Sequence, residues 1–524
     1  MKNIVIICPY EGRIPLQVTS YRAFMPRYGM LTVADALKRE GYDVKVYCEF
    51  SGSRINWQNV YAADVVCFSL MSFASLRGYM FAEKVRAHCD APIIFGGTHA
   101  SVLPENCLGY CDYVVRNEGE RTIVALLDAL KNGGNVTAVK GISYRNAAGK
   151  IVHNPDGEFL KKLDLIGDPG CVNGYSKRSI GFYMKDMFLN GVPRFNIAVT
   201  QASRGCPLKC TFCFAKNELG NEYRKRDPEL VLREIEISMK KLGTKFVFFA
   251  DNDFALDREH TLAILRLLEQ RFHGDLDYFF FTRIFIAKDQ ELMEAVQRAG
   301  RACIGIGIES VEPETLKYFR KPQNLDDIYE CLEIFGGYKV KLQLLFVFGA
   351  DTDNVGSIQK ALDLALRFRV YNWGFCSIYD FPTRGKVLGV PQTIPDHRFI
   401  HRDWRFYSGN FVVHYPRWIP PSVLQKDMSD AYRKFYGVNR SAFYQYHPIQ
   451  ATYKYYIPFL RKVEDGLYYR DGSLREELLP GPAADMQMLD MHFNRWTLAG
   501  ELARFYAENL FRAQAWKYLF SLPV

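Results

Sequence analysis

The sequence predicts an α/β protein in three parts. A doubly wound parallel sheet is expected over residues 1–145, a partial (β/α)6 TIM-type barrel over 191–385, and an α-rich region over 386–524. An irregular connection at 146–190 separates the first two. Short apolar, β-branched runs alternate with helical apolar spacing through both front parts, as in parallel strands covered by crossover helices. Beyond about residue 385 that alternation stops and aromatic residues crowd in.

The first element is a buried strand at 3–7, where Ile4, Val5, Ile6 and Ile7 follow one another. Helical spacing over 31–40 stops at Gly41, a strand follows at 44–47, and an apolar run at 64–70 precedes a helix over 76–88. A strand at 92–95 ends in Gly96-Gly97-Thr98-His99-Ala100. Another at 112–116 ends in Asn117-Glu118-Gly119-Glu120, a candidate cap for the helix over 120–131. Sheets of this kind bind ligands at the carboxyl ends of their strands. Asn154-Pro155-Asp156-Gly157 reads as a turn, and Gly167, Pro169, Gly170 and Gly174 cluster in the connection. Strands resume at 196–200, 245–250, 277–282, 302–308, 341–348 and 372–378, with helices over 229–242, 258–271, 290–299, 325–337 and 355–368. Six such units are too few to close an eight-fold barrel, so one side is expected to stay open.

Composition narrows the class. The chain has 524 residues, 48% hydrophobic and 24% charged, which excludes a disordered protein and allows several full cores. A net charge of +9 is mild at this length; it permits an anionic ligand or surface and gives no reason to expect nucleic acid. No run approaches the ~18 apolar residues of a membrane span, and the opening residues lack a signal-peptide pattern, so a cytoplasmic protein is expected. Thirteen cysteines, an odd number, argue against a disulfide framework. Cys8, Cys67, Cys303 and Cys376 read as core thiols, and Cys107 and Cys111 as a pair on one helical face.

The strongest chemical signal is Cys206-Pro207-Leu208-Lys209-Cys210-Thr211-Phe212-Cys213, directly after the first strand of the second part. Three thiolates at this spacing can hold an iron–sulfur cube and leave one iron without a protein ligand. A structural zinc would need a fourth ligand nearby, but the next cysteine is Cys303, and His260 and His273 are also remote. Three unrelated buried thiols are the plain alternative.

With Gln201-Ala202-Ser203-Arg204-Gly205 before it and Phe212 within it, this segment resembles the radical S-adenosylmethionine (SAM) superfamily. The resemblance implies that Cys206, Cys210 and Cys213 hold a 4Fe–4S cluster and that SAM chelates the open iron. One-electron reduction would then give a 5′-deoxyadenosyl radical that abstracts hydrogen from a substrate. It further makes Phe212 a cofactor contact and places Asp251 and Asn252 near the methionyl end, Glu309 and Ser310 (with Lys321 following) near the ribose, and Gly349 near the adenine. The first part resembles the Rossmann-like cobalamin-binding domain of the B12-dependent subclass, which implies cobalamin contacts at Ser69, Ser72, Gly96, Gly97 and Thr98. The usual Asp-x-His-x-x-Gly signature is missing from the first βα loop; the first histidine anywhere is His88.

This resemblance implies an enzyme that methylates an unactivated carbon with methylcobalamin, fed by a flavodoxin- or ferredoxin-type electron donor. Rival readings are a radical enzyme without methyl transfer (ring formation, oxidation or carbon–carbon coupling) and a non-catalytic corrinoid or iron–sulfur carrier. An RNA methylthiotransferase is disfavoured, because neither a further amino-terminal cysteine set nor a basic RNA module is present. Aromatic residues after position 400, among them Tyr444, Tyr446, Tyr453, Tyr455, Tyr456, Phe459, Tyr468 and Tyr469, favour a hydrophobic small-molecule substrate. Basic residues such as Arg405, Arg417, Arg433, Lys434, Arg461 and Lys462 suggest a peripheral membrane contact at the rim.

Overall fold

The front sheet is built from strands that read as near-continuous apolar runs because both faces are covered. The computed structural model describes residues 1–10, 23–177, 195–381, 393–444 and 452–480. Its first sheet contains β1 (Asn3–Cys8), β2 (Asp43–Cys48), β3 (Val65–Ser69), β4 (Ile93–Gly96), β5 (Tyr113–Val115), β6 (Ile142–Arg145) and β7 (Ile151–His153) in the order β2-β1-β3-β4-β5-β6-β7. Pairing is parallel as far as β5, and β6 and β7 close the edge antiparallel. Alternate residues of β1 serve opposite cores: Ile4, Ile6 and Cys8 share one with Leu31, Leu37, Leu126 and Leu127, while Val5 and Ile7 share the other with Tyr79, Ala82 and Val85. Helices Tyr28–Arg39 and Glu120–Lys131 therefore lie on one face and helix Ser75–Arg86 on the other, the doubly wound arrangement the sequence predicts.

The sheet runs past residue 145, since Arg145 pairs with Ile151 across a hairpin. Residues 154–177 then run along both domains. Asn154 donates to the carbonyls of Val136 and Val139, Leu160 N–H to Glu118, Gly167 N–H to Glu234, and the Tyr175 hydroxyl to the Ile197 carbonyl. Part of the expected connection is thus a seam between domains.

The second sheet has six parallel strands in chain order: β8 (Ala198–Thr200), β9 (Phe246–Phe249), β10 (Asp277–Thr282), β11 (Arg301–Glu309), β12 (Lys341–Phe348) and β13 (Asn372–Ser377). Sequential order with a helix after each strand is the expected partial barrel. Four of its helices start on acidic or amide caps: Asp227, Asp257, Asp289, and Asn324 in a capping box with Asp327. Gly305 on β11 is required by packing, because a Cβ there would lie 2.4 Å from the Phe281 ring on β10.

The last strand does not end in solvent. Helix Pro421–Tyr444 packs beside it, stacking Tyr432 and Phe435 against Trp373; the Tyr436 hydroxyl donates to the Trp373 carbonyl and accepts from its N–H. An open sheet edge is covered in this way. Residues 393–480 also join Val102 and Leu103 of the front domain to Phe381, Tyr407 and Tyr415 in one apolar core, in which Tyr456 is fully buried. Tyr469 is exposed, Phe459 packs at the margin of the core, and Tyr453 donates to Asp430. The side chains of Tyr444 and Tyr455, all of Tyr446, and residues 481–524 of the expected α-rich region lie outside the described residues. Of the basic rim residues, Arg405 pairs with Asp403 and Arg417 with Glu476. Among the described residues no helix is long and apolar enough to cross a membrane.

Candidate active site

The three cysteines sit on an excursion between β8 and helix Pro228–Leu242 whose neck is a short antiparallel bridge, Ser203–Arg204 against Arg224–Lys225. Gly205 enters the loop at φ +86, where a Cβ would fall 2.0 Å from the Glu222 carbonyl; only glycine fits. Backbone bonds from Cys206 N–H to the Gly220 carbonyl and from Thr211 N–H to the Phe319 carbonyl tether the loop, and Phe212 packs on the Phe319 ring at 4.7 Å. Cys210 is buried, while Cys206 and Cys213 are half-buried. Burial pushes the thiols of Cys206 and Cys210 up and that of Cys213 up to about 11; Lys321 acts against this at Cys206 and Cys210, and Arg283 at Cys206.

Glu309 ends β11 in the left-handed region at φ +68, next to a register shift in the β11–β12 ladder. Its carboxylate pairs with Lys321 at 2.9 Å, both side chains almost fully buried. Burial works against the Lys321 charge, but Glu309 more than offsets it and holds the ammonium above its usual range. The pair lies directly over Gly307, where a Cβ would come 2.3 Å from Oε1. Ser310 accepts from the Glu312 N–H.

Other expected contacts are spoken for within the protein. Asp251 accepts from the Ala202 N–H at 2.9 Å and from the Ser203 hydroxyl at 2.5 Å, so it holds the neck of the cysteine loop. The Gly349 N–H donates to Asp353 at 2.8 Å, and its carbonyl accepts from His414 at 3.0 Å. Ser72 is buried with its hydroxyl against His99, whose other ring nitrogen meets Tyr79 at 2.6 Å; burial pushes His99 down to about 3. Gly97 adopts φ +89, and a Cβ there would lie 2.8 Å from the Leu70 carbonyl. A bulky residue at position 97 therefore meets this chain's own backbone before any ligand. Gly96 has only ordinary contacts and makes the better probe of that edge.

Asp251 carries a pH signature. Burial raises its carboxyl from 3.8 to about 6, outweighing its two donors. Because the folded value lies above the unfolded one, its contribution to stability is full below about pH 4 and lost as pH rises through 6. Asp251→Asn is expected to remove that loss. The stability of the variant relative to wild type should rise by about 3 kcal/mol between pH 4 and pH 7 in urea titrations; a constant difference would contradict it.

The two ligand edges meet. Thr98, just past β4, faces Glu218 on the helix Ala215–Leu219 that follows Cys213; burial pushes that carboxyl up and Thr98 acts against it. Phe214 stacks on Tyr379 and meets Phe381 edge-on, and Trp404 lies between Phe381 and His99. Sequence reasoning missed Glu218, Tyr379 and Trp404, which sit in three distant segments with no shared motif. It also missed the charges at the neck. Glu118 and Glu120 do not cap the following helix, whose N-cap Gly119 makes no side-chain bond; their carboxylates go to Arg224 and Arg204 of the barrel. The signal was Arg224-Lys225-Arg226, beginning eleven positions after Cys213.

Residues 200–365 match the Radical SAM superfamily model, and residues 16–127 match the B12 binding domain model. The chain thus carries a B12-binding domain and a radical SAM domain in series. The first match contains the cysteine loop and the ends of barrel strands β8 to β12, and the second contains strand ends β3 to β5 of the front sheet. It is 25% identical over 450 residues to an uncharacterized methyltransferase of Pyrococcus horikoshii, covering 83% of this chain and 92% of that protein. It is 24% identical over 370 residues to the anaerobic magnesium-protoporphyrin IX monomethyl ester cyclase of Rubrivivax gelatinosus and over 348 residues to the hopanoid C-3 methylase of Methylococcus capsulatus. Those matches cover 68% and 65% of this chain and 62% and 64% of the relatives, so the chain spans somewhat under two thirds of these two proteins. Among solved structures, the radical SAM methyltransferase TsrM of Kitasatospora setae, with cobalamin and a 4Fe–4S cluster bound, has the same fold. The TM-score is 0.57 at 18% identity, covering 73% of each chain.

The residues present fit these groups. Among the described residues no three cysteine, histidine or carboxylate side chains converge on a point as ligands of a single ion do; a cube needs its three thiolates spread over separate irons. Asn252 follows β9 with a buried amide nitrogen lacking a partner, a free donor beside the cysteine loop. On the other edge, Ser69, Gly96 and Thr98 are half-buried at strand ends, and the Asn117 side-chain oxygen is buried and unpartnered.

Proposed function

We propose that this chain is a cobalamin-dependent radical SAM methyltransferase acting on a carbon of a hydrophobic small molecule. The observation that carries the reading is the meeting of the two edges: the three-cysteine loop and the carboxyl ends of the front strands close on one another where Phe214 packs on Tyr379 and Phe381 and Trp404 reaches from Phe381 to His99. In this reading Cys206, Cys210 and Cys213 hold the cluster, Asn252, Glu309 and Ser310 hold SAM, and Ser69, Gly96, Thr98 and Asn117 face cobalamin. When bound, the cluster and SAM supply hydrogen-abstracting radical chemistry, and cobalamin supplies the methyl group. The protein's task is to align the reactants and exclude water. Phe214, Tyr379, Phe381 and Trp404 form an apolar wall where the two edges meet, suited to a flat or polycyclic ligand. The hopanoid and protoporphyrin relatives, named for a polycyclic lipid and a tetrapyrrole, support that substrate class.

A second reading, ring formation without methyl transfer, is favoured by the similarity to the protoporphyrin ester cyclase. One experiment separates them. The protein is reconstituted anaerobically with iron, sulfide and hydroxocobalamin, supplied with excess SAM, reduced through a flavodoxin- or ferredoxin-type donor, and offered polycyclic lipids, tetrapyrroles, short peptides and sugars. Methylation by this protein should add one CH2 to an apolar substrate, with 5′-deoxyadenosine formed alongside. Loss of hydrogen without added carbon supports the second reading, and turnover only with peptides or sugars overturns the substrate class.

A further inference from the structure

The neck of the cysteine loop is bolted to the front domain by buried charge. Glu118 and Glu120 stand just past β5, at the same edge as Asn117. Glu118 takes both ends of the Arg224 guanidinium at 2.9 and 2.7 Å, the Leu160 N–H at 2.7 Å, and Arg204 at 3.4 Å. Glu120 accepts from Arg204 at 2.8 Å and from the Thr32 hydroxyl at 2.7 Å. All four charged side chains are no more than 5% exposed. Arg204 and Arg224 are bonded neighbours across the bridge through which the loop leaves and re-enters the barrel. One step along, Arg226 pairs in the same bidentate way with Glu234, which also accepts from Tyr28 of the front domain. Burial alone would push the Glu120 carboxyl up, but Arg204 and Thr32 outweigh it and hold it below the usual range.

Buried ion pairs add little net stability compared with apolar packing. What they do give is a defined register, since a bidentate fork tolerates few relative positions of its partners. This one joins the turn that ends the cobalamin edge to the two residues that flank the cysteine loop. We propose that Glu118 and Glu120 are positioning residues that set the separation of the cluster from cobalamin. The proposal rests on the function above.

The test uses the full chain reconstituted with iron, sulfide and hydroxocobalamin, poised with Co(II) and the reduced cluster both paramagnetic. The dipolar interaction between the two spins gives their distance. Wild type should show one narrow distribution. Glu118→Gln places an amide N–H where Arg224 needs an acceptor, and Glu120→Gln does the same at Arg204; each should shift and broaden the distribution while cluster and corrin absorption stay at wild-type level. Lys140→Ala, which removes an exposed pair with Glu158, should leave it unchanged. If a glutamine variant fails to load cofactors, Thr32→Val removes one hydroxyl shared by Glu120 and Arg204 and no charge, and a smaller broadening is expected. A wild-type distribution in loaded variants overturns the positioning role. Failure of wild type itself to bind cobalamin would instead overturn the functional reading on which it rests.

Discussion

Replacing any one of Cys206, Cys210 or Cys213 with alanine is expected to abolish the visible iron–sulfur absorption and all reductive cleavage of SAM. The effect should be close to total because, in the proposed site, three thiolates each hold a different iron. Loss of one thiolate leaves a second iron open, and no other cysteine lies near in sequence to replace it. The fold around the loop should survive. Its neck is held by Asp251, by the Ser203–Arg204 bridge and by the Glu118 and Glu120 pairs, none of which involves a cysteine side chain. Far-ultraviolet circular dichroism should therefore match wild type while iron content falls. A triple alanine variant that still makes 5′-deoxyadenosine would refute the assignment of the site.

Glu309→Gln is expected to show the second largest effect, in two separable quantities. The Glu309–Lys321 pair is almost fully buried. Removing one partner leaves Lys321 charged and unpaired, at a cost of about 3–5 kcal/mol. SAM affinity should fall as well if the carboxylate also takes a ribose hydroxyl, by tenfold or more for a charge-assisted hydrogen bond of about 1.5–3 kcal/mol. The double variant Glu309→Gln, Lys321→Met tells the two apart. Taking both charges out of the core should restore most of the thermal stability, yet SAM titrated calorimetrically into the reconstituted protein should still bind weakly. Recovery of affinity along with stability would make Glu309 a packing partner of Lys321 and nothing more.

The elements were legible because their signals are local. Strands β1, β3 and β4 in the middle of the front sheet are apolar runs, which two-sided burial demands, and residues 120–131, 277–282, 290–299 and 341–348 lie where periodicity puts them. The cysteine loop was legible too, since its ligands fall within eight residues. The roles of single polar residues at strand ends were harder to read. Asp251 holds the loop's neck and Ser72 meets His99, bonds that position at a strand end does not announce. A strand-end carboxylate or hydroxyl reads the same in one dimension whether it faces a ligand or a neighbouring loop.

Sequence alone pointed to the two-domain order, the parallel strands and a loop of three closely spaced cysteines, because each follows from residues adjacent along the chain. It could not say where the charged residues of those segments point. Glu118 and Arg224 are 106 positions apart, and Glu118 reads equally well as a helix cap. Burial settles the matter. Once folding removes a carboxylate from water it must find a cation or lose its charge. The cations within reach of Glu118 and Glu120 belong to the loop that carries the cysteines, and only the packing of the two domains brings them together.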